Sequence, residues 1–303
     1  MRVGVSLASF HNVDDARMGA RWMVERAAAA REAGLDSLFV GDHHGMPRPY
    51  YQNVPILGRL LAEWDERPAG CLFLFPLWNP VLLAEQVGTL ASIHRGRFIV
   101  QCALGDDPRQ FGAMGANIRT RPSAFEEALD IIRRLFAGEV VSARGRYRFE
   151  DARISPTPPE PVEFWIGGSA EPSIDRAARL GDGFLAGPEL TPSQAAHWAA
   201  FYRERCAAHG REPGTLAIRR DIYVGASAQE AREVAGPIVE GGYRGFDRSA
   251  TVYGSPDEVA SAFRELAGMG YTDVIVRHLV PDQEHALASL KRLREVRQAV
   301  LGA

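Results

Sequence analysis

Lysine is almost missing from this chain. Lys291 stands alone, and the remaining basic charge is arginine, scattered along the sequence and balanced by acids to a formal net charge of -3. That balance excludes an electrostatic footprint for nucleic acid or an acidic membrane surface. Cysteine is scarce as well. Cys71, Cys102 and Cys206 lie far apart, form no CxxC pair, and give neither a zinc pattern nor a disulfide framework. Cys71 and Cys102 fall in apolar runs, which suits reduced cytosolic thiols. No apolar stretch approaches the length of a membrane span. The opening MRVGVSLASF is too short and too polar downstream for a signal peptide, so a cytoplasmic location is expected. A P-loop and a GxSxG elbow are both absent.

What the chain does have is a steady alternation of short apolar runs and helical periods. Strands are predicted at Val3–Ala8, Ser37–Val40, Gly70–Phe75, Phe98–Leu104, Phe164–Ile166, Phe184–Ala186, Ala217–Val224 and Asp273–Arg277. Helices fill the intervals, and several announce their starts. Asn79 reads as a cap with Pro80 at the first helical position, and Thr191 with Gln194, Ser227 with Glu230 and Ser255 with Glu258 read as capping pairs. In Arg121–Ala137 the residues Phe125, Ala128, Leu129, Ile132, Leu135 and Phe136 form one stripe at helical spacing. Val140–Pro161 breaks the rhythm and reads as a Pro-rich excursion with a short hairpin before strand five. Strands flanked by helices on one period imply a parallel sheet, and so many units in one chain favour a closed (β/α)8 TIM barrel over an open doubly wound sheet. No composition shift marks a boundary, so residues 1–303 are expected to form a single barrel domain.

In such a barrel, ligands bind where the strands end. The most informative end is the fifth, in Phe164–Phe184, FWIGGSAEPSIDRAARLGDGF. A strand meets the turn Gly167-Gly168-Ser169, then a helix begins with Pro172 near its first position. Main-chain amides at such a turn cradle an anion, most naturally a cofactor phosphate, although glycine pairs also serve plain tight turns. The second strand ends in Gly41-Asp42-His43-His44-Gly45. Adjacent residues on an extended segment point opposite ways, so one histidine, His43, is expected to face the site as proton donor or acceptor. His11 follows strand one, Trp78 follows strand three, Cys102 and Gly105 mark strand four, and Arg277-His278 ends strand eight. His11, Asp42, His43 and His278 would be the ligands of a rival metal-dependent hydrolase, but the spacing offers no HxH pair on strand one. No metal site is expected.

Three stretches in order resemble one family. AGLDSLFVGDHHG (Ala33–Gly45), the run from Asn79 to Gly115 with its GRF strand and later FG, and WIGGSAEPSIDRAARLGDGFL (Trp165–Leu185) are similar to segments of the bacterial luciferase-like monooxygenases, a superfamily that includes deazaflavin-dependent oxidoreductases. YGSPDEV (Tyr253–Val259) is similar to a late signature of the same family.

The resemblance implies an oxidoreductase that holds a reduced flavin or deazaflavin at the barrel mouth. By that likeness His43 is the catalytic histidine. Cys102 lies near the ring, with Gly105 beyond it, and Gly167, Gly168 and Ser169 hold the phosphate. A strained non-prolyl cis peptide falls within Cys71, Leu72 and Phe73, behind the ring. His11, His44, Trp78 and His278 border the small-molecule substrate. The main expectation is monooxygenation with reduced FMN and oxygen, the FMN being supplied by a separate flavin reductase. The alternative is hydride transfer with the deazaflavin coenzyme. A homodimer is implied by the resemblance alone. One departure matters: Ala103 stands where luciferase has the arginine that grips the FMN phosphate, leaving that task to the turn or to Arg119 or Arg121. A non-catalytic homologue is the remaining alternative.

Overall fold

The structure, a computed structural model, describes residues 1–302. Its strands are β1 Arg2–Leu7, β2 Leu38–Val40, β3 Ala69–Leu74, β4 Phe98–Ala103, β5 Val141–Arg144, β6 Arg148–Ala152, β7 Glu163–Gly168, β8 Gly183–Ala186, β9 Thr215–Val224, β10 Val252–Gly254 and β11 Asp273–His278. Its α-helices are α1 Ala16–Glu32, α2 Asn53–Leu60, α3 Pro80–Ile93, α4 Pro108–Ala113, α5 Arg121–Phe136, α6 Glu171–Leu180, α7 Pro192–Ala208, α8 Ala228–Glu240, α9 Pro256–Gly268 and α10 Gln283–Leu301.

Strands β1, β2, β3, β4, β7, β8, β9 and β11 pair in parallel in that order, and β11 returns to β1. The sheet is therefore the expected closed barrel. The short β10 adds itself in parallel to the far end of β9. The excursion contains the expected antiparallel hairpin, β5 with β6. The expected caps are present. Asn79 accepts from the amides of Val81 and Leu82, and Thr191 and Ser255 each complete a reciprocal box with Gln194 and Glu258.

Two apolar layers hold this arrangement. Inside the barrel, Phe39, Ile99, Trp165, Ala217 and Ile275 pack into a plug, with the Phe39 and Trp165 rings 5.7 Å apart. Outside, Val3, Val5, Leu38, Val40, Cys71, Phe73, Val100, Cys102, Phe164, Ile166, Phe184, Ile218, Val274 and Val276 face the helices. Because both faces are buried, each strand reads as one apolar run. The plug also requires glycine at position 70, since a β-carbon there would lie 1.8 Å from the Ile99 carbonyl oxygen. It closes the barrel floor, so a ligand is confined to the rim where the strands end.

Candidate active site

Of the cavities that open at that rim, two carry the candidate site. The first, about 420 Å³, is lined by Leu72 and Leu74 of β3, Ala103–Asp106 after β4, the Gly167–Ala170 turn, the Leu185–Glu189 segment, and the arginines Arg121 and Arg219. The second, about 600 Å³, lies between the loop after β1 and the loop after β11; it includes Phe10, His11, Arg244, Arg277 and Asp282.

The first cavity contains an anion cradle. Helix α6 begins at Ala170 without a side-chain cap, and the amides of Ser169 and Ala170 find no acceptor among the described residues. A β-carbon on Gly168 would sit 2.3 Å from the β-carbon of Ser173, so glycine lets the turn fold this closely onto the helix. Arg121 borders the same cavity at the start of α5, and its buried Nε has no partner. Open amides, a helix N-terminus and a free guanidinium N–H together suit a phosphate. Arg119 is exposed and is not among the lining residues. The residues present thus fit the phosphate tail of either cofactor.

The loop after β2 positions the histidines. Asp42 is fully buried and accepts from the Leu74 amide and the Trp78 indole, each at 2.8 Å. His44 Nε2 lies 3.1 Å from the other Asp42 oxygen, at an angle too poor for a hydrogen bond. His44 and Trp78 also pack edge-on, 5.4 Å apart. These two residues, expected to border the substrate, instead brace Asp42 and line neither cavity. His43 turns the other way, although it too is in neither lining. Its ring lies 5.3 Å from that of Tyr50, and its buried Nδ1 has no partner. Burial, followed by the positive charges of Arg277, Arg244 and Arg219, lowers the His43 pKa, while Asp42 opposes the shift. At neutral pH the imidazole is therefore uncharged. Burial pushes the Tyr50 phenol up to about 12, so it keeps its proton.

Arg219 and Asp221, which the sequence did not single out, join Arg277 from the end of the last strand. Arg219 pairs in register with Ile275, and Asp221 with Arg277, which puts all of them on the barrel's inner face. Asp221 is fully buried and accepts from Arg219 at 3.2 Å, Arg244 at 2.9 Å and the Tyr243 hydroxyl at 2.9 Å. Burial lowers the Arg219 pKa to about 10, leaving it charged. A strand reading IRRDIYV carries three charged residues where a parallel barrel strand normally carries none, and that was the available signal.

Other expected residues fall elsewhere. Cys71, Phe73 and Cys102 are fully buried on the helix-facing side, and burial raises both thiols far above their ordinary range. Neither sulfur lines the mouth. Leu72, between two of them, does. The cis peptide expected within Cys71–Phe73 is absent; the one cis bond among the described residues is Ser155–Pro156 in the excursion. Gly105 lines the first cavity and adopts φ +72°, a conformation that favours glycine. His11 lines the second cavity. His278 also borders it, but its ring bonds Ser289 Oγ at 2.9 Å and burial drops its pKa to about 3. No three His, Cys, Asp or Glu side chains gather into a metal-binding group among the described residues.

A family model for luciferase-like monooxygenases matches residues 1–247. The chain belongs to that family. A curated relative from Intrasporangium calvum, an F420-dependent glucose-6-phosphate dehydrogenase, is 30% identical over 181 residues, 56% of this chain and 54% of the relative. The chain thus spans about half the length of such relatives. Among solved structures, the monooxygenase RslO1 from Streptomyces bottropensis superposes with a TM-score of 0.82 at 22% identity, covering 97% of this chain and 98% of that one. An F420-dependent secondary alcohol dehydrogenase with an F420-acetone adduct superposes at 0.80 and 18% identity, with 99% of each chain covered. Those two likenesses are of fold. Within the luciferase-like barrel, the turn around Ser169 and the imidazole of His43 occupy the same rim.

Proposed function

We propose that the protein is an oxidoreductase that moves a hydride between a deazaflavin coenzyme of the F420 kind and a small alcohol or carbonyl substrate. The observation that carries this is the rim itself. A phosphate cradle at Gly168, Ser169 and Arg121 lies on the same rim as a histidine held neutral with a buried, unpartnered Nδ1. The relatives with F420 in their names favour this over reduced FMN, and so does Ala103 in place of the phosphate-gripping arginine. Monooxygenation with reduced FMN is the reading set aside. With it goes the need for a separate flavin reductase.

The bound coenzyme would accept or donate the hydride. The chain's own residues supply the rest. In alcohol oxidation, neutral His43 takes the hydroxyl proton as the C–H hydride departs; in carbonyl reduction, the protonated ring returns it. Asp42, fixed by Leu74 and Trp78, anchors the loop that presents His43. Tyr50 packs at a tilt against that ring and, still protonated, remains able to donate a hydrogen bond.

Absorbance titration of the purified protein with F420, FMN and reduced FMN tests the reading. F420 is expected to bind most tightly. Tight binding of reduced FMN alone would restore monooxygenation, and binding of none would remove the oxidoreductase reading. Arg121→Gln should weaken coenzyme binding by roughly tenfold or more, the worth of a hydrogen bond to a charged group. An unchanged affinity in that variant would remove Arg121 from the cradle.

A further inference from the structure

The second cavity carries more positive charge than the fold uses. Arg244 and Arg277 line it, and Arg219, which lines the first cavity, meets them around one buried carboxylate, Asp221. Arg219 and Arg244 share that carboxylate. Arg277 makes no hydrogen bond or ion pair among the described residues, not even with Asp221, its register partner. Three guanidiniums against Asp221 leave a surplus of two positive charges, or one if buried Asp42 is also counted, and the lining carboxylate Asp282 acts on a fourth, Arg26. Arg26 adds to this field from the cavity's flank, bonded only to neutral groups, the Gln283 amide and the Pro281 carbonyl.

The surrounding chain is shaped to hold this surplus. Arg244 sits at φ +53°, between Gly242 at +85° and Gly245 at +71°. A non-glycine residue rarely adopts that conformation, and here the turn delivers its guanidinium to the cavity. His11 is nine-tenths buried, lines the cavity, and has a buried Nε2 without a partner. Burial and the charge of Arg26 lower its pKa to about 4, so it offers a neutral nitrogen to a polar group of a ligand.

We propose that this cavity binds an anionic group of the substrate, a carboxylate or a phosphate monoester, through Arg277 and Arg244. The idea rests on the oxidoreductase reading only in calling the ligand a substrate. The anion would be held by charge-assisted hydrogen bonds from the planar fork of Arg277, which has no competing partner, with Arg244, already paired to Asp221, beside it. It also alters the proton chemistry next door. The charges facing His43 are Arg277 on β11, Arg244 after α8, Arg219 on β9 and Asp42 on its own loop, with neutral Tyr50 against the ring. An anion at Arg277 offsets part of the positive field, so its binding raises proton affinity at His43 and draws in a proton.

Calorimetric titration of the purified protein with inorganic phosphate, and separately with malonate, tests this. Tighter phosphate binding would assign a phosphate monoester, and tighter malonate binding a carboxylate. Arg277→Gln should weaken the preferred anion about tenfold or more, Arg244→Gln should weaken it in the same direction, and Arg277→Lys should restore part of the loss. Arg121→Gln should leave it unchanged, because the coenzyme cradle is a separate site. Titration in two buffers of different ionisation enthalpy should show proton uptake that disappears in His43→Gln. Absence of anion binding would overturn the proposal. So would binding that survives Arg277→Gln and fails in Arg121→Gln, which would place the anion in the cradle. F420 affinity measured on the same variants tests the coenzyme reading independently.

Discussion

Replacing His43 by glutamine is expected to lower kcat by about 10²–10⁴-fold while leaving F420 affinity nearly unchanged. The ring donates and accepts no hydrogen bond at its buried Nδ1, so its loss strands no protein partner. What disappears is a group at the end of β2 that combines a depressed pKa with an unpartnered ring nitrogen. The sign of the pH dependence follows from that depression. In alcohol oxidation the imidazole must be neutral, so kcat/KM should rise with pH through a value below the ordinary histidine pKa and stay flat above it. In carbonyl reduction the protonated form is needed, and the rate should fall as pH rises through the bound-state value. Steady-state profiles in both directions check this, and His43→Gln should flatten both. A variant that keeps wild-type kcat, or a profile with its inflection above the usual histidine range, would remove His43 from the proton step.

The course of the chain was legible because local signals agreed. Pro80 behind Asn79, Glu258 behind Ser255 and Gln194 behind Thr191 each mark a helix start that the structure contains. The side on which a strand residue projects was not legible. In a parallel barrel both faces are dry, so the run CLFLF carries no alternation to say that Leu72 looks inward while Cys71 and Phe73 look toward helices. The expectation that Cys102 lies beside the cofactor failed to anticipate this, since its sulfur points into the helix layer. His278 ends a strand and borders the second cavity, but its ring bonds Ser289, and the neighbouring Arg277 faces the cavity. Capping residues announce themselves within one turn of chain. Arg219, Asp221, Arg244 and Arg277 come together only when β9 and β11 pair in register and the turn after α8 folds back over them.

Asp221→Ala should destabilise the fold by about 3 kcal/mol, near the lower end of the range for breaking a buried ion pair. The lower end applies because its partners are not fully buried: the Arg219 and Arg244 side chains are 20% and 40% exposed, so water screens them partly once the carboxylate is gone. In a chain of this size that corresponds to a fall in Tm of about 5 °C. The acid limb gives an independent check. Burial pushes the Asp221 carboxyl up, but Arg219, Arg277 and Arg244 together hold it below the usual carboxylate range. A carboxylate depressed in the folded state contributes stability above its unfolded pKa of about 3.9 and loses it as pH falls through the folded value. Wild-type protein should therefore lose stability below about pH 4, and Asp221→Ala should lose less over that interval. The same substitution adds uncompensated positive charge opposite His43, so the inflection in the alcohol-oxidation profile should move to lower pH. An unchanged Tm would mean that water, rather than Asp221, keeps the three guanidiniums together, and an unmoved inflection would mean that their charge does not reach the imidazole.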